Sequence, residues 1–370
     1  MKLETSKSKK ILTEKKIFNP EISNNERRLL IGGKTNNLMI LSDNKFKWSF
    51  KLYKTMMGNF WIPEEVSLGA DKAQYDLLDE DVKDTFDKVI SFLVFLDSLQ
   101  TVNLDNINEF ITLPEVNLLI TIQQYQEALH SQSYGYILET VVPAERRRKI
   151  YDIAITDKFL VKRNKYIADY YQEFKENKSE EGMLLVMMAN YILEGLYFYS
   201  GFSFFYNLVR SYDAMTGVAT SIRYINRDEL THVVLFKNMF LELKKEKPYL
   251  FTTEMLDKLR NMMFEGVQHE VEWAEYSIGN KIRGLSTDLI EKYLKHIANS
   301  RLEAIGLEPL YEGVEQNPLP FIDQFTKFNQ IKTDFFEEKP QNYSKDNGNL
   351  DLESFDGDSL DGFFESLDDN

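Results

Sequence analysis

EALHSQSY, residues 127–134, and RDELTH, residues 227–232, each carry a Glu-x-x-His tetrapeptide, Glu127–His130 and Glu229–His232, and each sits inside a long apolar helical pattern. A carboxylate and an imidazole three residues apart on an α-helix leave from the same face. Together the two tetrapeptides use two of the chain's four histidines. Upstream of each stands an acid that is the only charge in its apolar stretch: Asp97 in LVFLDSLQ (93–100) and Glu194 in ANYILEGLYFYSGFSFF (189–205). Four helices that bring these six side chains to one interior point supply the donors of a carboxylate-bridged two-metal site.

The surrounding pattern agrees with helices and little else. Asp97 precedes its Glu-x-x-His by 30 residues and Glu194 precedes the other by 35, so a helix hairpin is used twice. Thr112-Leu113-Pro114-Glu115 reads as a cap and proline start for a helix running to Val141-Val142-Pro143. Ser179 opens the helix of Glu194, Thr216 opens that of Glu229, and Thr252 and Ser286 are candidate caps for two more. The link over about 143–180 is too long for a tight turn and predicts a crossover with its own helices. No alternating strand run of useful length occurs. The fold class expected is all-α, a ferritin-like helical bundle with additional helices around a buried dimetal site. Three segments are expected: a flexible N-terminal arm over 1–25, the helical domain over 26–338, and a disordered acidic C-terminal tail over 339–370.

Composition narrows the chemistry. The chain has 370 residues, ample for a large core, and no cysteine, which removes disulfides, thiolate ligands, Fe–S clusters and thiol nucleophiles together. Any metal here is held by oxygen and imidazole nitrogen, a set suited to iron, manganese or a mixed pair. A net charge of −15 speaks against nucleic acid as a partner. Nine acids and one lysine fall within Ser344–Asn370, beside the isolated aromatics Phe355, Phe363 and Phe364. That is the build of a segment that docks on a partner. The N-terminal MKLETSKSKKILTEKK lacks the apolar core of a secretory signal, which points to the cytoplasm. Residues 183–209 are long enough to span a bilayer, yet carry Glu194 at their centre. They read instead as the buried middle helix of a bundle, and no membrane association is expected.

Neighbours on the same helices add to the chemistry. Tyr134 lies about one turn beyond His130 on the same face, ~6 Å along the axis. A phenol beside an oxygen-activating metal pair is placed for one-electron oxidation. Phe198 and Phe202 would give the site a dry wall, and Asp228 could accept a proton from a ligand histidine. His269 and His296 have no matching acids and read as structural or surface residues.

FLDSLQ (95–100), EALHSQSY, ILEGLYFYSGFSFF (192–205), IRYINRDELTH (222–232) and NFWIPEEV (59–66) together resemble the small, radical-generating subunit of class I ribonucleotide reductase, over roughly residues 50–310. The resemblance implies that Asp97, Glu127 and His130 bind one metal and Glu194, Glu229 and His232 the other. It implies dioxygen as co-substrate and a tyrosyl radical at Tyr134 within an apolar pocket of Phe198, Phe202 and Ile225. Trp61, Asp228 and His130 match the route by which an electron and a proton leave the site, and Tyr343 is the candidate relay tyrosine of the tail. A homodimer is implied, docked through its acidic tail to a large subunit that reduces ribonucleotides to deoxyribonucleotides for DNA synthesis. Gln123, Gln124 and Gln132 stand near the first Glu-x-x-His where some members have Trp or Arg. The rivals are a stand-alone dimetal oxidase of the same fold, which needs neither a radical store nor a docking tail, and a ferritin-like metal-storage bundle.

Overall fold

The computed structural model describes residues 10–326 apart from 24, 25 and 27. Its long helices are α1 (Lys47–Gly58), α2 (Gly69–Leu77), α3 (Glu80–Asn108), α4 (Pro114–Val141), α5 (Ala144–Thr156), α6 (Lys158–Glu176), α7 (Glu180–Ile192), α8 (Tyr199–Tyr212), α9 (Thr216–Glu246), α10 (Thr253–Ser277) and α11 (Thr287–Ala304). A five-residue π-turn, Leu193–Tyr197, joins α7 to α8. The only β pairing among the described residues is two isolated bridges, Ile11 with Ser179 and Ile31 with Ile111.

α3 and α4 form one hairpin, and the α7–α8 run with α9 forms the other. The expected crossover is α5 and α6, which carry the chain from one hairpin to the other. Aromatic edges lock the interior where α3 meets later helices. Phe86 meets Phe205 at 5.4 Å and Phe92 meets Trp273 at 5.8 Å, both edge-on. The run long enough to span a membrane is interior: Glu180–Tyr212 has the length and hydropathy to cross a bilayer, but 94% of its most apolar window is buried within the protein.

Three of the expected caps act on their own helices. Ser179, Thr252 and Ser286 accept from the backbone N–H groups of Gly182, Met255 and Leu289. α4 starts on Pro114 as expected, but Thr112 does not cap it. Its hydroxyl instead donates to the Leu29 carbonyl at 2.5 Å and accepts from Gly33 N–H at 3.2 Å, tying the chain before α1 to this corner. The first turn of α9 is held by Asp71 of α2, which accepts from Val218 N–H at 2.9 Å and Gly217 N–H at 3.3 Å.

The stretch from Lys10 to Lys15 within the expected arm is tied to the body. Leu12 N–H donates to Lys178 O at 2.7 Å, and Glu180 N–H donates to Lys10 O at 3.0 Å. The Lys15 ammonium reaches the carbonyls of Asn108 and Ile111 at 2.8 and 3.1 Å, at the C-terminal end of α3. Burial there lowers Lys15 to about 8. The acidic tail, with Tyr343, Phe355, Phe363 and Phe364, lies outside the described residues.

Candidate metal centre

Four helical segments deliver six fully buried donors to one place: α3 gives Asp97, α4 gives Glu127 and His130, the π-turn gives Glu194, and α9 gives Glu229 and His232. They fall into two groups, each with donor atoms within 4.8 Å of one another: Asp97, Glu127, His130 and Glu229, and then Glu127, Glu194, Glu229 and His232. Two carboxylates belong to both groups. Glu127 turns Oε2 toward His130 Nδ1 (3.9 Å) and Oε1 toward His232 Nδ1 (3.3 Å). Glu229 turns Oε1 toward His130 Nδ1 (3.0 Å) and Oε2 toward His232 Nδ1 (3.1 Å). Asp97 serves only the first histidine, at 3.8 Å, and Glu194 only the second, at 3.5 Å. The resemblance divides the six ligands three and three between the metals. In the structure Glu127 and Glu229 each face both histidines, while Asp97 and Glu194 each face one.

Both imidazoles are oriented from behind. His130 Nε2 faces Asp228 Oδ2 at 3.2 Å, and His232 Nε2 faces Gln126 Oε1 at 3.0 Å. Each outer partner is an oxygen acceptor, so Nε2 donates outward and Nδ1 is left facing the carboxylates, where a metal ion can take its lone pair. Lone pairs aimed at one another are repulsive unless a cation or a proton stands between them.

The electrostatics show the same frustration. Burial, followed by the nearby Glu127 and Glu194, pushes the Asp97 carboxyl well above the usual range. Burial with Glu194 and Glu127 does the same to Glu229, and burial with Glu194 raises Glu127. Glu194 goes the other way: burial is outweighed by its neighbours Glu229, the His232 imidazole and Gln100. His232 is raised because its carboxylates outweigh its desolvation. Asp97 Oδ1 and Oδ2, Glu127 Oε2, Glu194 Oε2, Glu229 Oε1 and His130 Nδ1 are buried without a hydrogen-bond partner among the described residues. Orphaned buried charge costs several kcal/mol per group, roughly. Two divalent cations would satisfy all six atoms, so the donor set fits a metal pair.

Three amides hold Glu194 from its other side. Gln123 Nε2 donates to Oε1 at 2.7 Å, Asn190 Nδ2 approaches it at 3.4 Å, and Gln100 Nε2 donates to the same oxygen. Gln100 is anchored in turn by the Tyr171 hydroxyl, 2.7 Å from its Oε1. Oε1 is thereby occupied and Oε2 left facing His232. Gln123 stands out in the sequence by its place near the first Glu-x-x-His. Gln100, Gln126 and Asn190 do not, although Gln100 sits three residues after Asp97 and Asn190 four before Glu194, the spacings that share a helix face.

Tyr134, Trp61 and Asp228 lie beside this cluster. Tyr134 is fully buried and its hydroxyl has no hydrogen-bond partner among the described residues. Burial, then Asp97 and Glu229, raise its phenol well above the usual range. Trp61 Nε1–H donates to Asp228 Oδ2 at 2.9 Å, so Trp61, Asp228 and His130 form one continuous chain. Arg227 supports Asp228 through Oδ1 at 3.3 Å and helps hold its carboxyl low against burial. Phe198 and Phe202 stack at 5.6 Å, and Ile225 is buried. His269 and His296 lie apart from these groups, facing Tyr197 OH at 3.4 Å and the Val314 carbonyl at 2.9 Å.

Fold and site together define a helical-bundle protein with a buried carboxylate–histidine cluster suited to two metal ions. The family model for ribonucleotide reductase, small chain, matches residues 39–318, and the chain belongs to that family. It is 45% identical to the ribonucleoside-diphosphate reductase subunit beta of Treponema pallidum over 93% of this chain and 99% of that one. The corresponding subunit of Halalkalibacterium halodurans is 38% identical over 91% and 98%. Among solved structures, the ribonucleotide reductase R2 subunit from Clostridium botulinum superposes with a TM-score of 0.83 at 47% identity, covering 86% of this chain and all of that one. The chain is thus a small subunit of an oxidoreductase that works with a large one, and the buried cluster is its dimetal site.

Proposed function

We propose that Asp97, Glu127, His130, Glu194, Glu229 and His232 bind two iron ions, and that Tyr134 stores the radical this subunit hands to its partner. The observation that carries the reading is the division of the Glu127 and Glu229 oxygens between two histidines whose Nδ1 atoms both face inward. When bound, the metal pair would supply the reduction of dioxygen coupled to one-electron oxidation of a phenol. The remaining roles belong to the chain itself. Because burial and the neighbouring Asp97 and Glu229 hold its phenol protonated, Tyr134 must give up electron and proton together when it is oxidised. Burial without a donor to the hydroxyl, with Phe198, Phe202 and Ile225 as apolar lining, protects the oxidised ring from water and reductants.

Trp61 is the exit. It is fully buried, but its chain neighbours Phe60 and Ile62 are 56% and 40% exposed, so the indole lies just under the surface at the outer end of the Asp228–His130 chain. Trp61→Phe, which removes the indole N–H but keeps an aromatic core, is expected to leave two metals bound and to depress nucleotide reduction by roughly 100-fold or more, as loss of a group acting in the reaction rather than in folding does. Metal analysis beside turnover with the large subunit checks this, and wild-type turnover would remove Trp61 from the route.

The reading extends to a cytoplasmic homodimer whose acidic segment 339–370 docks on the large subunit through Phe363 and Phe364, with Tyr343 as relay. Truncation before Ser344 is expected to preserve the Tyr134 radical while weakening association at least tenfold. Unchanged affinity in a binding titration would take the docking role away from the tail. A stand-alone oxidase would turn over an organic substrate without any partner, and a storage bundle would take up many irons per chain.

A further inference from the structure

The π-turn that carries Glu194 is gripped by two buried arginines that the reaction described above does not use. An extra residue in one helical turn rotates all that follows by about 100°, so this turn sets which face of the α7–α8 run meets the metal site. Arg163 of α6 donates from Nη2 to the Tyr197 carbonyl at 2.8 Å. Its Nε donates to Glu270 of α10, which also accepts from Ser200 Oγ at 2.5 Å, just after the turn. The guanidinium lies over the rings of Phe92 and Tyr197 at 4.2 and 4.4 Å. Arg301 of α11 donates from Nε to the Gly195 carbonyl at 3.2 Å and from Nη2 to Tyr199 OH at 3.0 Å, and its own carbonyl accepts from Tyr191 OH at 3.0 Å. It thereby ties residues before, within and after the turn.

Two glycines make the grip possible. A Cβ on Gly195 would come within 3.0 Å of Arg301 Nε and 3.2 Å of its Cδ. One on Gly266 of α10 would come within 3.0 Å of Ile192 and 3.4 Å of Leu196. Both arginines are essentially inaccessible, at 1% and 0% exposure. Buried ionic groups are often replaceable by apolar side chains without loss of stability. Two guanidiniums directed at the carbonyls of one turn therefore point to geometry rather than to bulk packing.

We propose that Arg163 and Arg301 are positioning residues of the metal centre, fixing the π-turn so that Glu194 Oε2 stands at the His232 end of the site. The inference rests on the reading of Glu194 as a ligand. The test uses the full-length chain freed of metal, with Co(II) as the probe. Arg163→Lys and Arg301→Lys are compared with Ile150→Ala, a core truncation in α5, away from the turn. Both arginine variants are expected to bind one of two Co(II) ions roughly 10- to 100-fold more weakly, the usual cost of losing a group that orients a ligand, with an altered ligand-field absorption band. Amides of residues 193–199 should exchange faster in the metal-free variants. Ile150→Ala should lower the melting temperature and leave the cobalt spectrum and affinity alone.

Wild-type cobalt affinity and spectrum in both arginine variants would overturn the proposal, whatever the exchange rates do. If either variant does not fold, Tyr199→Phe decides: it removes only the hydroxyl that Arg301 holds, and an unchanged spectrum would count against the proposal in the same way. Failure of the wild-type chain to bind two Co(II) ions would instead overturn the assignment of the ligands.

Discussion

Tyr134→Phe is expected to bind two irons, fold as well as the wild type, show no organic radical after exposure to dioxygen, and support nucleotide reduction only at background level. The substitution removes one hydroxyl that is buried and has no hydrogen-bond partner among the described residues. Deleting an unsatisfied buried polar group costs nothing in hydrogen bonding and relieves its desolvation penalty, so the melting temperature should stay level or rise. The ligand atoms are untouched, so metal content should stay at two. Without the phenolic O–H the ring cannot form a phenoxyl radical, so its loss separates structure from function. Paramagnetic resonance, metal analysis and turnover with the large subunit check the three parts, and reduction surviving in this variant would sink the assignment of the radical.

The metal-free protein is expected to lose stability as pH rises above the ordinary carboxylate range, and the metal-loaded protein is not. Asp97, Glu127 and Glu229 all have folded-state pKa values raised above those of an unfolded chain, with burial the leading cause. Such a group binds more protons folded than unfolded. Its stabilisation is therefore complete below the unfolded pKa, about 4 for a carboxylate, and is lost as pH climbs through the raised folded value. The raised His232 adds a loss of the same sign, while the lowered Glu194 opposes the trend. A tenfold change in one group's proton affinity is worth about 1.4 kcal/mol, so several groups acting together make this a large effect. Melting temperatures of the metal-free protein from pH 5 to 8 should fall, and Glu229→Gln, which cannot ionise, should flatten the curve while weakening metal binding by roughly 10-fold or more. A metal-free protein whose stability is level over that range would mean that the carboxylates are not crowded as described.

The parts of this site that were legible in the sequence were those written in helical periodicity. Glu127 with His130 and Glu229 with His232 share a face by their spacing alone, and Asp97 and Glu194 stand out because no other charge lies near them. The caps Ser179, Thr252 and Ser286 were legible for a similar reason, since each acts on its own helix. What was missed depends on other segments or on backbone detail. The run from 183 to 209 reads as one uninterrupted apolar helix, and nothing in its composition announces the π-turn at Leu193–Tyr197. Thr112 is a good cap by type, yet the backbone of Leu29 and Gly33 claims its hydroxyl. Gln100, Gln126 and Asn190 are ordinary polar residues until tertiary packing places them behind Glu194 and His232. The attachment of residues 10–15 was illegible because its partners, Lys178 and the end of α3, are remote in sequence.

The most direct test gives the metal-free wild-type chain ferrous iron and dioxygen, then records its paramagnetic resonance spectrum and metal content. Two irons per chain and a stable tyrosyl signal, absent from Tyr134→Phe treated alike, are the expected result. Two bound metals with no organic radical, in parallel iron-loaded and manganese-loaded samples, would contradict radical storage at Tyr134 and favour the stand-alone oxidase.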